Sequence, residues 1–255
     1  MSDQYRRLKV EVHPTVARIT LNNPPLNLMD REMLDDLLLA LADIERRPGI
    51  VGIIFAGSER AFCAGLDVAS QSSDGLEPLV RKFHELIRAL VASRKLTMAS
   101  VRRHCLGAGA ELALMCDLIY CCPDAVFGFP EIKLAAYPPV AMAALSAVVG
   151  QKRAAELVLT GRSLTAQEAH DMGLVNGVAM DPETLAVETL ARVQQFSTAA
   201  LAIAKKAFYA WDAIHFDKGL NRAEQIYLEE LMKLEDAREG INAFMEKRQP
   251  VWKGK

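Results

Sequence analysis

Two acidic residues stand in strongly apolar company. Glu111 is the only charge in residues 106–115 (LGAGAELALM), and Glu131 sits between Phe129-Pro130 and Ile132. A carboxylate taken out of water costs several kcal/mol unless it is paired or protonated. A carboxyl in such a place holds its proton toward neutral pH and can pass it on. Loops of small residues accompany them. Arg60-Ala-Phe-Cys-Ala-Gly-Leu-Asp67 follows a buried run, and Gly65 in it lets the backbone approach a ligand closely. Gly107 and Gly109, just before Glu111, open a helix, where free N–H groups and the helix dipole stabilise an anion. They are no dinucleotide fingerprint, since Leu112 stands where the third glycine belongs. N–H groups for a developing oxyanion beside carboxyls with divergent pKa values mean acid–base work on a carbonyl compound. The plainer alternatives are an ordinary strand-to-helix loop, a solvent-facing Glu111, and a Glu131 paired with Lys133.

The elements that must position these residues follow from periodicity. Leu8, Val10 and Val12, then Ala17, Ile19 and Leu21, alternate as a hairpin with one buried face. Asp30 caps a helix whose apolar positions are Leu34, Leu37, Leu38, Leu41 and Ile44, and Pro48-Gly49 stops it. A buried strand at 50–55, the loop 56–67, a helix at 76–93, a strand near 97–102 and a second loop at 104–109 follow. Short strands at 118–122 and 126–129 lead to a third loop beginning at Pro130-Glu131. This order points to parallel strands with crossover helices. After Val140 the pattern reads almost wholly helical. It contains a capping box at Thr165–Glu168, an Asp181-Pro182 helix start, and helices at 182–196, 198–213, 217–235 and 236–247. The expectation is an α/β core, residues 1–195, with a helical region, 196–255, packed on it or on a neighbouring subunit.

Composition narrows the classes. The 255 residues carry 30 basic and 32 acidic side chains, a net −2, with 51% hydrophobic and 6% aromatic residues. Near balance argues against a protein built to grip nucleic acid or an anionic membrane. Five cysteines, two of them adjacent (Cys121 and Cys122), read as thiols of a reducing cytosol. There is no CxxC and the five histidines are scattered, so no metal is expected. The N-terminal stretch lacks the apolar core of a signal peptide, and the uncharged stretch 134–151 is broken by Pro138-Pro139. A cytoplasmic location is expected.

Six segments, ITLNNPPLN, GIIFAGSERAFCAGLDV, GAGAELALMCDLIY, FGFPEIKL, LTGRSLTAQEAHDMGLVN and AFMEKRQPVWKG, resemble in order the enoyl-CoA hydratase/isomerase (crotonase) family, over about residues 8–253. The resemblance implies an α/β spiral of β-β-α turns, with C-terminal helices that make trimers or hexamers. The substrate it implies is an acyl-CoA thioester, and no separate cofactor is needed. Carried over by position, the oxyanion hole is the backbone N–H of Leu66 and of Ala108, with Gly107 beside it. Glu111 and Glu131 are the catalytic pair. Ala64, Gly65, Asp67 and Val68 line the coenzyme A path, and Lys247 of the last helix touches coenzyme A.

Two departures bear on the acyl group. Ala108 replaces the middle of three glycines common in the family, and Ala135-Ala-Tyr-Pro-Pro139 replaces a glycine-rich stretch. The proline pair stiffens the backbone and removes two donors. Within the family, PEIKLAAYPPVA looks most like the cyclohexa-1,5-diene-1-carbonyl-CoA hydratases, and Tyr137 would lie beside a flat ring. Straight-chain hydration and double-bond isomerisation are alternatives, although an isomerase needs one carboxylate. RNA binding, known in some members, is disfavoured because Arg81, Lys82 and Arg88 of the 76–93 helix face Glu77 and Glu85.

Overall fold

The computed structural model describes residues 4–68 and 75–255; the first residues of the N-terminal stretch read above lie outside them. The hairpin of β1 (Leu8–Val12) and β2 (Val16–Leu21) pairs Leu8 with Leu21 and buries alternate residues. The Asp30 side chain accepts from Met33 N at 2.8 Å to start α1 (Arg31–Glu45), which buries Met33, Leu34, Leu37, Leu41 and Ile44. Then come β3 (Gly52–Ala56), β4 (Ala61–Cys63), α2 (Leu76–Val91), β5 (Leu96–Val101), β6 (His104–Leu106), α3 (Ala108–Leu114), β7 (Leu118–Cys121) and β8 (Val126–Gly128). A 3-10 turn, Pro130–Leu134, leads into α4 (Pro139–Val149) and α5 (Gln151–Thr160). The chain ends with β9 (Ser163–Thr165), α6 (Ala166–Asp171), β10 (Gly177–Val178), α7 (Pro182–Val193), α8 (Thr198–Glu229) and α9 (Glu235–Met245).

Successive turns of the spiral contribute to two sheets. One has the order β1-β2-β3-β5-β7-β10 and the other β4-β6-β8-β9. The pairings β2–β3, β3–β5 and β5–β7 are parallel, as are β4–β6 and β6–β8. Parallel strands of the first sheet are covered by helices and read as continuous apolar runs, and all of β3 is buried. The residues that follow β4, β6 and β8 therefore emerge together at the carboxyl ends of one small sheet, where α/β folds place ligands.

The structure corrects several sequence expectations. The small-residue loops contain β4 and β6, strands of three residues that are too short to show a period. The stretch after Val140 is not wholly helical, because β9 adds antiparallel to β8 and β10 parallel to β7. The helices expected at 198–213 and 217–235 are one helix, α8, which crosses the expected break and is followed by a 3-10 turn at Leu231–Lys233. Neither proline nor glycine occupies 214–216. The capping box is complete, with Thr165 and Glu168 exchanging side-chain and backbone bonds.

Asp117 joins the helical end of the chain to the sheet. Its Oδ2 accepts from Thr97 N at 2.7 Å, Thr97 Oγ1 at 2.9 Å and Lys205 Nζ of α8 at 2.7 Å. Farther along α8, Gly219 passes close to Ala143 of α4. Small residues also set the approach of α3 to β4, where a Cβ on Gly109 would lie 2.3 Å from Cys63 O. Helix propensity alone favours Gly109→Ala by about 1 kcal/mol. The clash is with backbone, so the substitution is expected to destabilise by about 1–3 kcal/mol. A urea melt reads the sign, and a gain in stability would refute this packing.

Candidate active site

The loops after β4, β6 and β8 meet at glycines. Gly107 has φ +54°, and a Cβ there would lie 2.7 Å from Glu131 Oε1 and 3.7 Å from Gly65 Cα. The left-handed backbone at Gly107 is what calls for glycine, and the missing side chain leaves the Glu131 carboxyl room beside it. Gly65 has φ +120° with ordinary space around it, so its constraint is backbone conformation.

This convergence aims two N–H groups. A parallel bridge between Met29 and Leu66 engages the residues on either side: Met29 N donates to Gly65 O at 2.9 Å and Asp67 N to Met29 O at 3.0 Å. The Leu66 N–H is thereby turned away from Met29. Ala108 is the first residue of α3, where an N–H has no intrahelical acceptor. Among the described residues neither N–H meets an acceptor, and both residues line one cavity of about 310 Å³.

Glu111 and Glu131 line the same cavity. Glu111 is 2% exposed, and its Oε1 accepts from Ala141 N at 2.9 Å, in the first turn of α4. Pro139 opens that helix at a position needing no N–H. The proline pair thus turns the chain so that the next amides reach Glu111. Among the described residues Glu131 Oε2 is buried without a partner, and no ion pair joins Glu131 to Lys133. Burial pushes both carboxyls well above the ordinary carboxylate value; for Glu111 the Glu131 charge adds to this and the α4 amides oppose it. The outward-facing alternative for Glu111 is excluded by its burial.

Ala64, Gly65, Asp67, Val68 and Tyr137 also line the cavity. The Tyr137 hydroxyl donates to Ala223 O at 2.6 Å, and its ring meets Tyr227 edge-on at 5.2 Å. Lys247 is exposed and does not line the cavity; its neighbours Ile241 and Phe244 of α9 do. Sequence reading missed His84 and Tyr227, which also line it. Burial and the charges of Glu131 and Glu111 push the Tyr227 phenol up. His84 shares an α2 face with Leu76, Val80 and Phe83, and a polar residue on that apolar face was the available signal. Among the described residues no group of three or more His, Cys, Asp or Glu is arranged to hold a metal.

The model of the enoyl-CoA hydratase/isomerase family matches residues 11–255. The chain is 32% identical over 258 residues to a cyclohexa-1,5-dienecarbonyl-CoA hydratase of Thauera aromatica, with 100% of each chain covered. It is 35% identical over 249 residues to a probable mitochondrial enoyl-CoA hydratase of Dictyostelium discoideum, covering 94% of this chain and 88% of that one. Among solved structures, an enoyl-CoA hydratase of Mycobacterium avium subsp. paratuberculosis superposes with a TM-score of 0.87 at 27% identity, over 97% of this chain and 99% of that one. A methylmalonyl-CoA decarboxylase gives a TM-score of 0.87 at 26% identity, over 99% of this chain and 100% of that one, so one architecture carries several reactions. The chain belongs to the enoyl-CoA hydratase/isomerase family, with the crotonase fold, and is a carbon–oxygen lyase of the hydratase type.

The buried pair makes stability depend on pH. With folded-state values raised above the unfolded 4.5, the folded chain holds more protons. The stability linked to these carboxyls is therefore complete below pH 4.5 and is lost as pH rises through the pair's own titration. Glu111→Gln is expected to flatten this fall and to raise stability at pH 8, as read by denaturant melts between pH 5 and 8. An unchanged slope would contradict the burial of an ionisable pair.

Proposed function

We propose that the chain adds water across the conjugated double bond of an enoyl-CoA thioester and that it takes the ring of cyclohexa-1,5-diene-1-carbonyl-CoA in preference to a straight acyl chain. The observation that carries hydration is one cavity holding two buried carboxyls and the N–H groups of Leu66 and Ala108. One carboxyl is ionised and the other protonated, since burial and mutual repulsion disfavour two charges; the α4 amide bonded to Glu111 favours the charge there, and the partnerless Glu131 Oε2 favours the proton there. Ionised Glu111 takes a proton from water held by Glu131, and the water oxygen bonds to the β-carbon. The double-bond electrons move onto the thioester oxygen, where the two N–H groups and the α3 dipole hold them. Protonated Glu131 then gives its proton to carbon. A proton passing from Glu111 to Glu131 restores the starting state.

For the ring substrate, that proton enters at the far end of the dienolate, giving 6-hydroxycyclohex-1-ene-1-carbonyl-CoA. Support comes from the Thauera relative and from the stiff wall at Ala135–Pro139. There Ala135 is left-handed (φ +51°) and Tyr137 is fixed by its bond to Ala223. Residues 64–68 are assigned to the coenzyme A path and Lys247 to its outer end; no further cofactor is needed. Self-association as a trimer or hexamer is supported by the exposure of Phe196, Ile203 and Phe208 at 66%, 69% and 73%. Five buried free thiols favour the cytoplasm, and no helix of the described residues is long and apolar enough to cross a membrane.

Purified protein assayed with crotonyl-CoA, cyclohex-1-ene-1-carbonyl-CoA and the cyclic dienoyl-CoA, with products weighed by mass spectrometry, separates the readings. The highest kcat/KM is expected for the dienoyl-CoA; preference for crotonyl-CoA would sink the ring assignment and leave straight-chain hydration. A shifted double bond without added water would identify an isomerase. Glu111→Gln and Glu131→Gln are each expected to lower kcat by about 10²-fold or more with CoA-ester binding retained. Near-full activity in either variant would refute the two-carboxyl scheme.

A further inference from the structure

The α2 side of the cavity is formed by Leu76, Val80, Phe83 and His84, of which only the last is polar. The His84 side chain is 1% exposed. Its Nδ1 is bonded to Glu224 Oε2 of α8, and Glu224 Oε1 accepts from Arg81 at 3.0 Å. A carboxylate shared with arginine is an acceptor, so it fixes the imidazole proton on Nδ1 and leaves a lone pair on Nε2. That nitrogen, directed away from Glu224, is buried without a partner among the described residues. Burial also lowers the His84 pKa, which favours the neutral ring.

A buried acceptor without a partner costs free energy until a donor reaches it. The donor cannot be cationic without losing its own hydration among Leu76, Val80 and Phe83. A neutral donor, O–H or amide N–H, meets both conditions, and of these the hydroxyl is the one that an acyl ring itself carries. His84 also enters the cavity from α2, where α8 holds it, whereas Leu66, Ala108, Glu111 and Glu131 belong to the loops after β4, β6 and β8 and to α3. We propose that His84 Nε2 accepts a hydrogen bond from a hydroxyl on the acyl ring, remote from the thioester, so that the enzyme prefers a ring-hydroxylated cyclic dienoyl-CoA to the unsubstituted one. This specificity role rests on the cyclic-acyl reading above. The Glu224 carboxylate acts through His84 as a positioning residue, holding the tautomer.

The test has a binding arm and a turnover arm. In the binding arm, calorimetry compares cyclohexanecarbonyl-CoA with its 3- and 4-hydroxy derivatives, none of which can be hydrated. The wild type is expected to bind one hydroxylated isomer at least about tenfold more tightly, and His84→Phe to abolish that difference while leaving affinity for the unsubstituted ring within about threefold. Glu224→Gln, whose amide donates to Nδ1 and moves the ring proton to Nε2, is expected to weaken the preference, and it serves as the second variant if His84→Phe does not fold. Equal binding of all rings by the wild type would overturn the proposal, because the acceptor then holds only water. An equal loss for every ligand in His84→Phe would overturn it in favour of a structural histidine. In the turnover arm, the hydroxylated dienoyl-CoA is expected to show the higher kcat/KM through a lower KM. Absence of hydration of every enoyl-CoA would refute the hydratase reading alone, since the binding arm reads His84 without turnover.

Discussion

The parallel pairing of three very short strands, β4, β6 and β8, is the constraint on which the site depends. Ala61 is matched with His104 and His104 with Val126, so the segments that continue these strands leave the sheet side by side. One contributes the Leu66 N–H, the next Gly107 and Ala108, and the third Glu131. A slip of one residue in any pairing would reverse the faces of that strand and carry its loop out of reach. The larger sheet and its covering helices make such slips costly, because the successive pairs β3 and β4, β5 and β6, and β7 and β8 each place one strand in each sheet.

Within that frame the chemistry arises from opposed electrostatic demands. Burying two carboxyls together is unfavourable, and the cavity offsets only part of that cost with the α4 amides at Glu111. The remainder appears as protons held at higher pH, which a hydratase uses. The N–H groups of Leu66 and Ala108 carry the opposite field, and their value lies in being fixed before any charge develops. The empty side of Gly107 serves both demands by admitting the Glu131 carboxyl and the Gly65 loop together.

Much of this arrangement could be read from residue types. The hairpin, α1 with its Asp30 cap and the Thr165–Glu168 box declare themselves through periodicity and capping chemistry, which are local. Glu111 and Glu131 are conspicuous because apolar neighbours leave them little water. The strands of three residues are invisible, since no period can be established over so short a run and their existence depends on partners distant in the chain, Ala61 with His104 and His104 with Val126. The continuity of α8 was obscured for the opposite reason: His215 and its neighbours look like an interruption, but nothing there forbids helical backbone. His84 and Tyr227 belong to helices whose apolar faces suggest core, and only packing discloses that the core there is hollow.

The tie between Lys205 and Asp117 gives α8 a significance beyond stability. The helix is fastened to the sheet near one end, while more than four turns along Tyr227 forms part of the cavity wall and Glu224 bonds His84 behind it. The groups assigned to bond making and breaking belong to the spiral, whereas a separate, anchored rod borders the cavity with Tyr227 and, through Glu224, holds the His84 ring. Substitutions on that rod around Tyr227 can reshape the chamber without touching the Leu66 and Ala108 N–H groups. Such a division of labour makes the scaffold evolvable, with reaction and substrate range open to change along independent routes.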